Sequence, residues 1–323
     1  MDNQMNFIDL GENVTDVGHT NDCRIMRITN DTGEGTMTMY PVFDGVYIVY
    51  NNFHMKECKS NFHENNILCI DHCREGRIET SKGDEACCYL SAGDMRIDDS
   101  SHNKGNSFFP LGHYYGMTIG IEIDAAEKSI HESVLNFSVN IPAIAEKYCC
   151  HETPYVISKA PEIANIFSQL YNVPSKIRTD YFRIKVLELL LYLDALEISS
   201  HIEERPYFYK SQVEKIRTLH KFITATPEKF YTIDELAARF DISSASLKKC
   251  FTSVYGSPVY TYMKTYRMNL AAVALRQERS KKISDIARSV GYENSGKFSV
   301  AFKSVMGRTP QEYRSYYIET EDN

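Results

Sequence analysis

The chain has 323 residues, enough for two or three domains, and a hydrophobic share of 43% that excludes a disordered polymer. No apolar run approaches the roughly eighteen residues of a membrane span, and the polar, acidic start MDNQMNFIDLGENVTD lacks a signal-peptide pattern, so a cytoplasmic location away from membranes is expected. The net charge of −7 hides an asymmetry: residues 209–317 carry 19 Lys and Arg against 9 Asp and Glu (+10), and the remainder carries 17 against 34 (−17), so only the later segment attracts phosphates.

Residues 1–124 read as β-rich. Short apolar or aromatic runs at 36–43, 46–53, 67–73, 86–90 and 114–123 are separated by turn-forming stretches such as NDTGEG, SKGDE and SAGD. This pattern predicts a sandwich or small barrel, cupin-like in plan, which either holds one small ligand or is filled by its own side chains.

From 125 to 208 the period turns helical. The longest candidate spans 175–198, where Ile184, Leu187 and Leu191 recur at helical spacing and Val186, Leu189, Leu190 and Leu193 widen the apolar surface. A helix apolar around so much of its circumference is expected to be buried on several sides, against the barrel or against a second copy of the chain. The polar stretch SSHIEERPYFYKS marks a boundary, and residues 318–323 form an acidic tail.

The basic segment, 209–317, predicts seven helices near 212–225, 232–240, 243–255, 258–278, 283–290, 295–306 and 310–317. Thr232 and Glu235 have capping-box spacing, Pro258 and Pro310 sit near helix starts, and Gly256 and Gly307 sit just past helix ends. Within it one pattern is written twice. Leu236 and Ala237 match Ile286 and Ala287, Phe240 matches Val290, Leu247 matches Phe298, Phe251 matches Phe302, and Gly256 matches Gly307. Each copy is a short helix, a tight turn at Asp241 or Gly291, and a second helix, which is the helix-turn-helix plan.

The second helix of each copy has an apolar stripe: Leu247, Cys250, Phe251 and Val254 in the first, Phe298, Ala301, Phe302 and Val305 in the other. The opposite faces carry Ala245, Lys248, Lys249 and Thr252, and Gly296, Ser299, Val300 and Lys303. Small or polar residues near the start, with lysines further on, suit a helix entering a major groove end-first. Ser243 and Asn294 or Ser295 are the candidate caps. The helix between the copies, about 21 residues at ~1.5 Å each, makes a rod of roughly 30 Å. Successive major-groove faces lie about 34 Å apart.

Residues 209–317 resemble the DNA-binding domain of the AraC/XylS family of transcription regulators. The stretches that carry the resemblance are IDELAARFDISSASLKKCF, GSPVYTYMKTYRMNLA, ISDIARSVGYENSGKFSVAFK and GRTPQEYR. The resemblance implies an α+β multidomain chain: a β-barrel or cupin-like sensor domain, a helical linker or dimerisation region, and an all-α double helix-turn-helix domain. Its implied DNA contacts fall on Ala245, Lys248 and Lys249 of the first reading helix and on Gly296, Lys297 and Val300 of the second; Ser244, Thr252, Ser295 and Ser299 complete the candidate set, and Lys303 is a phosphate contact. Arg308 follows as a phosphate contact. Val300 stands where many members have arginine, and a valine can touch a thymine methyl but cannot grip guanine.

Other constellations point less far. His54, Cys58, His63, Cys69, His72, Cys73, His102 and His113 match no closed zinc spacing, and small buried thiols with surface histidines are expected instead. The nine cysteines, odd in number, fit reduced thiols. LGHYYG, at 111–116, either lines a pocket or packs the core. No phosphate loop, nucleophile elbow or His-Glu-x-x-His occurs, so no enzyme activity and no cofactor are expected. The expected protein is a sequence-specific regulator controlled by a small effector. Its partners are promoter DNA, a second copy of itself and, for an activator, RNA polymerase. The alternatives are a regulator whose first domain only dimerises or meets a protein, and a metal-, redox-sensing or enzymatic barrel fused to a DNA-binding domain.

Overall fold

The computed structural model describes residues 8–9, 14–20, 22–62, 66–82, 85–100, 104–150, 154–198, 207–278 and 280–321. The chain divides into two compact units, Met1–Tyr207 and Phe208–Asn323. The architecture is α+β, with a sheet-rich first unit and a second that is helical after the short strand Phe208–Tyr209.

The first unit begins with β1 (Ile8–Asp9), β2 (Val14–His19), β3 (Arg24–Asn30), β4 (Gly33–Phe43), β5 (Val46–His54) and β6 (Glu57–Phe62). It continues with β7 (Ile67–Lys82), β8 (Ala86–Ser91), β9 (Asp94–Asp99), β10 (Lys104–Phe108) and β11 (Tyr114–Glu122). The meander β2-β3-β4-β5-β11 is antiparallel throughout. The 16-residue β7 belongs to two sheets. Its first half pairs with β11 and β9, and its second half with β8 and β10. Where the halves meet, Tyr115 pairs with Glu75 and Gly116 with Cys73, so Arg74 is the extra residue of a β-bulge. A bulge bends its strand, which lets one strand turn a barrel corner.

Alternation sorts each strand into two faces. Inward, Met26, Ile28, Met37, Met39, Val49 and Phe53 meet Cys58, Leu90 and Phe109 across the barrel. The Phe53, Phe109 and Tyr114 rings stack at 5.1–6.4 Å. A polar row crosses the same interior: Asn51 Nδ2 donates to Thr118 Oγ1 (2.9 Å), Thr118 to Asp71 Oδ1 (2.6 Å), and Arg96 Nε to Asp71 Oδ2 (3.0 Å). Among the described residues, these side chains line the interior.

The outward face of the larger sheet is covered by α1 (Ile123–Ser133), α2 (Ile141–Cys149), α3 (Pro161–Leu170) and α4 (Arg178–Ala195). A strand, β12 (Tyr155–Ser158), interrupts this region, which the sequence reads as helical throughout. Its Val-Ile pair extends the sheet edge beside β9. Of the coverings expected for 175–198, the sheet supplies one. α4 buries Phe182, Val186, Leu189, Leu190 and Leu193, while Ile184 (61% exposed) and Leu191 (47% exposed) face outward. Only one face meets the sheet, and the stripe through Ile184 is on the other side.

The second unit contains α5 (Lys210–Ala225), α6 (Ile233–Arg239), α7 (Ser244–Tyr255), α8 (Val259–Gln277), α9 (Ile283–Ser289), α10 (Ser295–Met306) and α11 (Pro310–Glu321). All seven expected helices are present within two residues at their shared ends, save the last, which runs longer. α8 threads between the two halves and buries Met268, Ala271, Ala272 and Leu275 against Ile286, Phe298 and Phe302.

Candidate nucleic-acid interface

Both helix pairs are closed by the same local chemistry. Thr232 and Glu235 form a reciprocal capping box at the start of α6. At its end, Asp241 takes φ +48 and the Ile242 amide donates to Ala237 O at 3.1 Å. At the end of α9, Gly291 takes φ +87 and the Tyr292 amide donates to Ala287 O at 2.9 Å. This six-to-one hydrogen bond behind a left-handed residue is the Schellman stop. Aspartate tolerates that backbone better than most residues, and Lys215 Nζ holds it through the Asp241 carbonyl and carboxylate. At Gly291 a Cβ would sit 2.5 Å from Glu228 O and 2.8 Å from the Phe230 ring, so only glycine fits.

The second helix of each pair starts on a side-chain cap: Ser243 accepts from the Ser246 amide, and Asn294, rather than Ser295, accepts from the Lys297 amide. Leu247, Cys250, Phe251, Val254, Phe298 and Phe302 are fully buried. That anchoring turns the other faces outward. Ala245, Lys248, Lys249, Ser295, Gly296, Lys297, Val300, Lys303 and Arg308 are exposed, and Thr252 and Ser299 are half-buried. Val300 is 74% exposed, an unusual position for a valine. Neither α7 nor α10 carries an acidic residue.

Two of the expected hydroxyls are already engaged: Ser244 donates to Asp234 Oδ1 (2.7 Å) and Ser299 to Ser295 O (2.9 Å). Arg308 lies 3.8 Å over the Tyr316 ring, which orients its guanidinium beside α10.

Arg267 is a buried loop anchor that sequence reasoning missed. It sits on α8, only 3% exposed, and donates to Pro227 O (2.6 Å) and Lys229 O (2.8 Å). Its guanidinium lies 3.9 Å over Phe230, whose ring meets Tyr292 edge-on at 6.1 Å. Burial lowers the Arg267 pKa, yet the two carbonyls and the ring satisfy its charge. The loop between α5 and α6 is thus pinned to the rod and wedged against the turn of the second helix pair. A basic residue at helical spacing in an amphipathic rod is the only sequence signal, and it reads as a surface charge.

Comparison with known proteins agrees with this geometry. A family model described as a helix-turn-helix domain matches residues 236–316. An AraC-like transcription regulator of Streptomyces antibioticus is 36% identical over 95 residues, covering 29% of this chain and 31% of that protein. The C-terminal unit is an AraC-type helix-turn-helix domain. The HTH-type transcriptional activator RhaR of Yersinia pseudotuberculosis is 25% identical over 144 residues, covering 44% of this chain and 49% of that protein. Among solved structures, the C-terminal domain of the response regulator yesN from Fusobacterium nucleatum shares 28% identity, covering 30% of this chain and 95% of that one, with a TM-score of 0.29. The chain spans about a third to a half of the length of the curated relatives it matches. In this AraC-type domain, α7 and α10 are the second helices of the two pairs.

Cys58, Cys69 and Cys73 are buried, and burial pushes the Cys58 thiol up to about 11 and Cys73 up to about 12. His72 is buried against Phe167, whereas His63 and His102 lie outside the described residues. Among the described residues no group of three or more His, Cys, Asp or Glu is placed to hold a metal ion. No helix among them is long and apolar enough to cross a membrane.

Proposed function

We propose that this chain is a cytoplasmic transcription regulator that docks α7 and α10 into adjacent major grooves of promoter DNA. The observation that carries it is the pair of acid-free, end-capped helices whose buried stripes turn Lys248, Lys249, Lys297 and Lys303 outward from one rigid domain. α8, with 19 residues at ~1.5 Å each, separates the pairs by a length close to one DNA turn. Ala245, Lys249, Gly296 and Val300 read base edges in this scheme, while Lys303 and Arg308 position the domain on phosphates. A footprint on the selected operator covering two adjacent major grooves on one side of the duplex supports this; a single protected groove rejects it.

The first unit supplies control. The buried side chains that line the described part of the barrel interior favour an effector that binds elsewhere on this unit. A second copy of the chain is the partner we assign to the outward Ile184 and Leu191 of α4, and an activator would also meet RNA polymerase. Sedimentation of the wild type against Ile184→Asp/Leu191→Asp tests the pairing.

A further inference from the structure

The helices that cover the larger sheet leave one end of its outer face open. A recess of about 290 Å³ lies there, at the lower end of the range for small-molecule sites. Its floor follows from the strand register. Thr36, Asn52 and Tyr115 form one row across β4, β5 and β11, and Thr38 and Tyr50 form the next. Its wall is the turn after α3 and the start of α4, with Tyr171, Val173 and Arg178.

The polar groups of this recess are mostly unspent. The side chains of Thr36, Thr38, Asn52 and Tyr115 have no hydrogen-bond partner among the described residues, whereas Tyr50 already donates to Leu170 O at 2.5 Å. Arg178 makes two long hydrogen bonds, to Tyr40 Oη (3.2 Å) and Val173 O (3.4 Å), and has no carboxylate partner among the described residues. No acidic residue lines the recess, although it lies in the acidic part of the chain.

The bulge in β7 adds a second cation. Arg74, the residue it inserts, lies 4.6 Å over the Tyr171 ring and 5.5 Å from that of Tyr115, both of which line the recess. Bulges re-aim side chains in this way beside functional sites. Two arginines facing no carboxylate suit an anion, because guanidinium groups bind carboxylate and phosphate in two-point fashion. The threonines, the asparagine and the Tyr115 hydroxyl suit hydroxyl groups, and the tyrosine rings cover a flat apolar face.

We propose that this recess, and not the barrel interior, is the effector site, and that it takes a polyhydroxylated anion of monosaccharide size. Arg178 grips the charged group, Arg74 closes the far side, and the sheet floor holds the hydroxyls. The inference rests on the reading of the chain as a controlled regulator, and Arg178 at the first turn of α4 joins the ligand to the helix that leads toward residue 195.

The test is calorimetric titration of the full chain with D-galacturonate and D-gluconate as carboxylates and glucose 6-phosphate as the phosphate source, at fixed ionic strength. Neutral D-galactose is the control. Saturable binding of a carboxylate or of the phosphate, with none of galactose, is expected and identifies the anion. Arg178→Gln should weaken that binding by about tenfold or more, the loss of charge-assisted hydrogen bonds. Thr38→Val and Asn52→Ala, on the sheet floor, should weaken it while leaving the melting temperature of the free protein unchanged. No binding at millimolar concentration, equal binding of galactose, or unchanged affinity in all three variants overturns the proposal. A two-groove footprint without anion binding rejects this site alone, whereas anion binding without a footprint keeps the site and rejects the regulator.

Discussion

The Phe230 ring, held under the Arg267 guanidinium at 3.9 Å, closes against Gly291, where a Cβ would come within 2.8 Å of it. This contact joins the loop of the first helix pair to the turn of the second, and so bears on how two reading helices keep one relative orientation.

Gly291→Ala meets both a left-handed φ and the Glu228 carbonyl. It should cost about 1–3 kcal/mol in thermal unfolding of the domain. Asp241→Gly, at the equivalent turn, should change stability by less than about 1 kcal/mol, because the exposed Asp241 side chain only exchanges a surface ion pair for freedom from strain. Equal losses at the two turns would show that the wedge at Gly291 contributes nothing.

Arg267→Met keeps most of the apolar volume but orphans the Pro227 and Lys229 carbonyls. The expected result is weaker binding to a two-groove operator with little change on a single half-site, read by titration of both duplexes. A proportional loss on both would place Arg267 in general stability and not in the spacing of α7 and α10.

Lys249→Ala should weaken cognate binding and relax base preference, by about 1–3 kcal/mol for a two-point base contact. Lys303→Ala should weaken all sequences alike and reduce the salt slope by about one. Competition titrations over a salt series separate the two. An unchanged cognate affinity in Lys249→Ala would mean that α7 presents a different face.

Asp71 accepts from both Arg96 and Thr118 inside the barrel, so Asp71→Asn removes the charge that grips the buried Arg96 guanidinium and leaves Asp98 as its other carboxylate neighbour. A loss of about 3–5 kcal/mol is expected on denaturant unfolding. A loss below about 1 kcal/mol would show that Asp98 balances the Arg96 charge by itself.

His72 stacks on Phe167 at 4.3 Å and shares a hydrogen bond with Tyr171, and burial holds its pKa down at about 4. The unfolded chain takes up this proton near pH 6.5. Between the two values the unfolded state binds more protons, so stability falls on acidification from about pH 6.5 to 4, by up to roughly 3 kcal/mol from this group. The difference in unfolding free energy between wild type and His72→Phe, followed across that window, should shrink at the acid end. A pH-independent difference would reject the assignment.

The second unit was legible in the sequence to a degree the first was not. Seven helices, their caps, the left-handed turns at Asp241 and Gly291 and the outward faces of α7 and α10 all follow from short-range chemistry: spacing of 3.6, capping side chains within three residues, and a glycine or aspartate at the left-handed stops. In the first unit the longer strands were legible as apolar runs, but β2, β3, β6 and β9 were not, because partly polar strands become strands only when a distant neighbour supplies the hydrogen bonds.

The sequence alone determined that two like-built helix pairs occupy a basic segment, since local periodicity and charge need no distant partner. Only the tertiary structure decided that Arg267 is buried, that Ile184 rather than Val186 faces outward on α4, that methionines and an Asp71–Arg96 row line the barrel interior, and that Arg178 and Arg74 flank one recess. Each of these depends on residues tens of positions apart meeting across a sheet face or a helix crossing. Burial, and with it the fate of every charge and hydroxyl, is a property of that meeting and not of the residue.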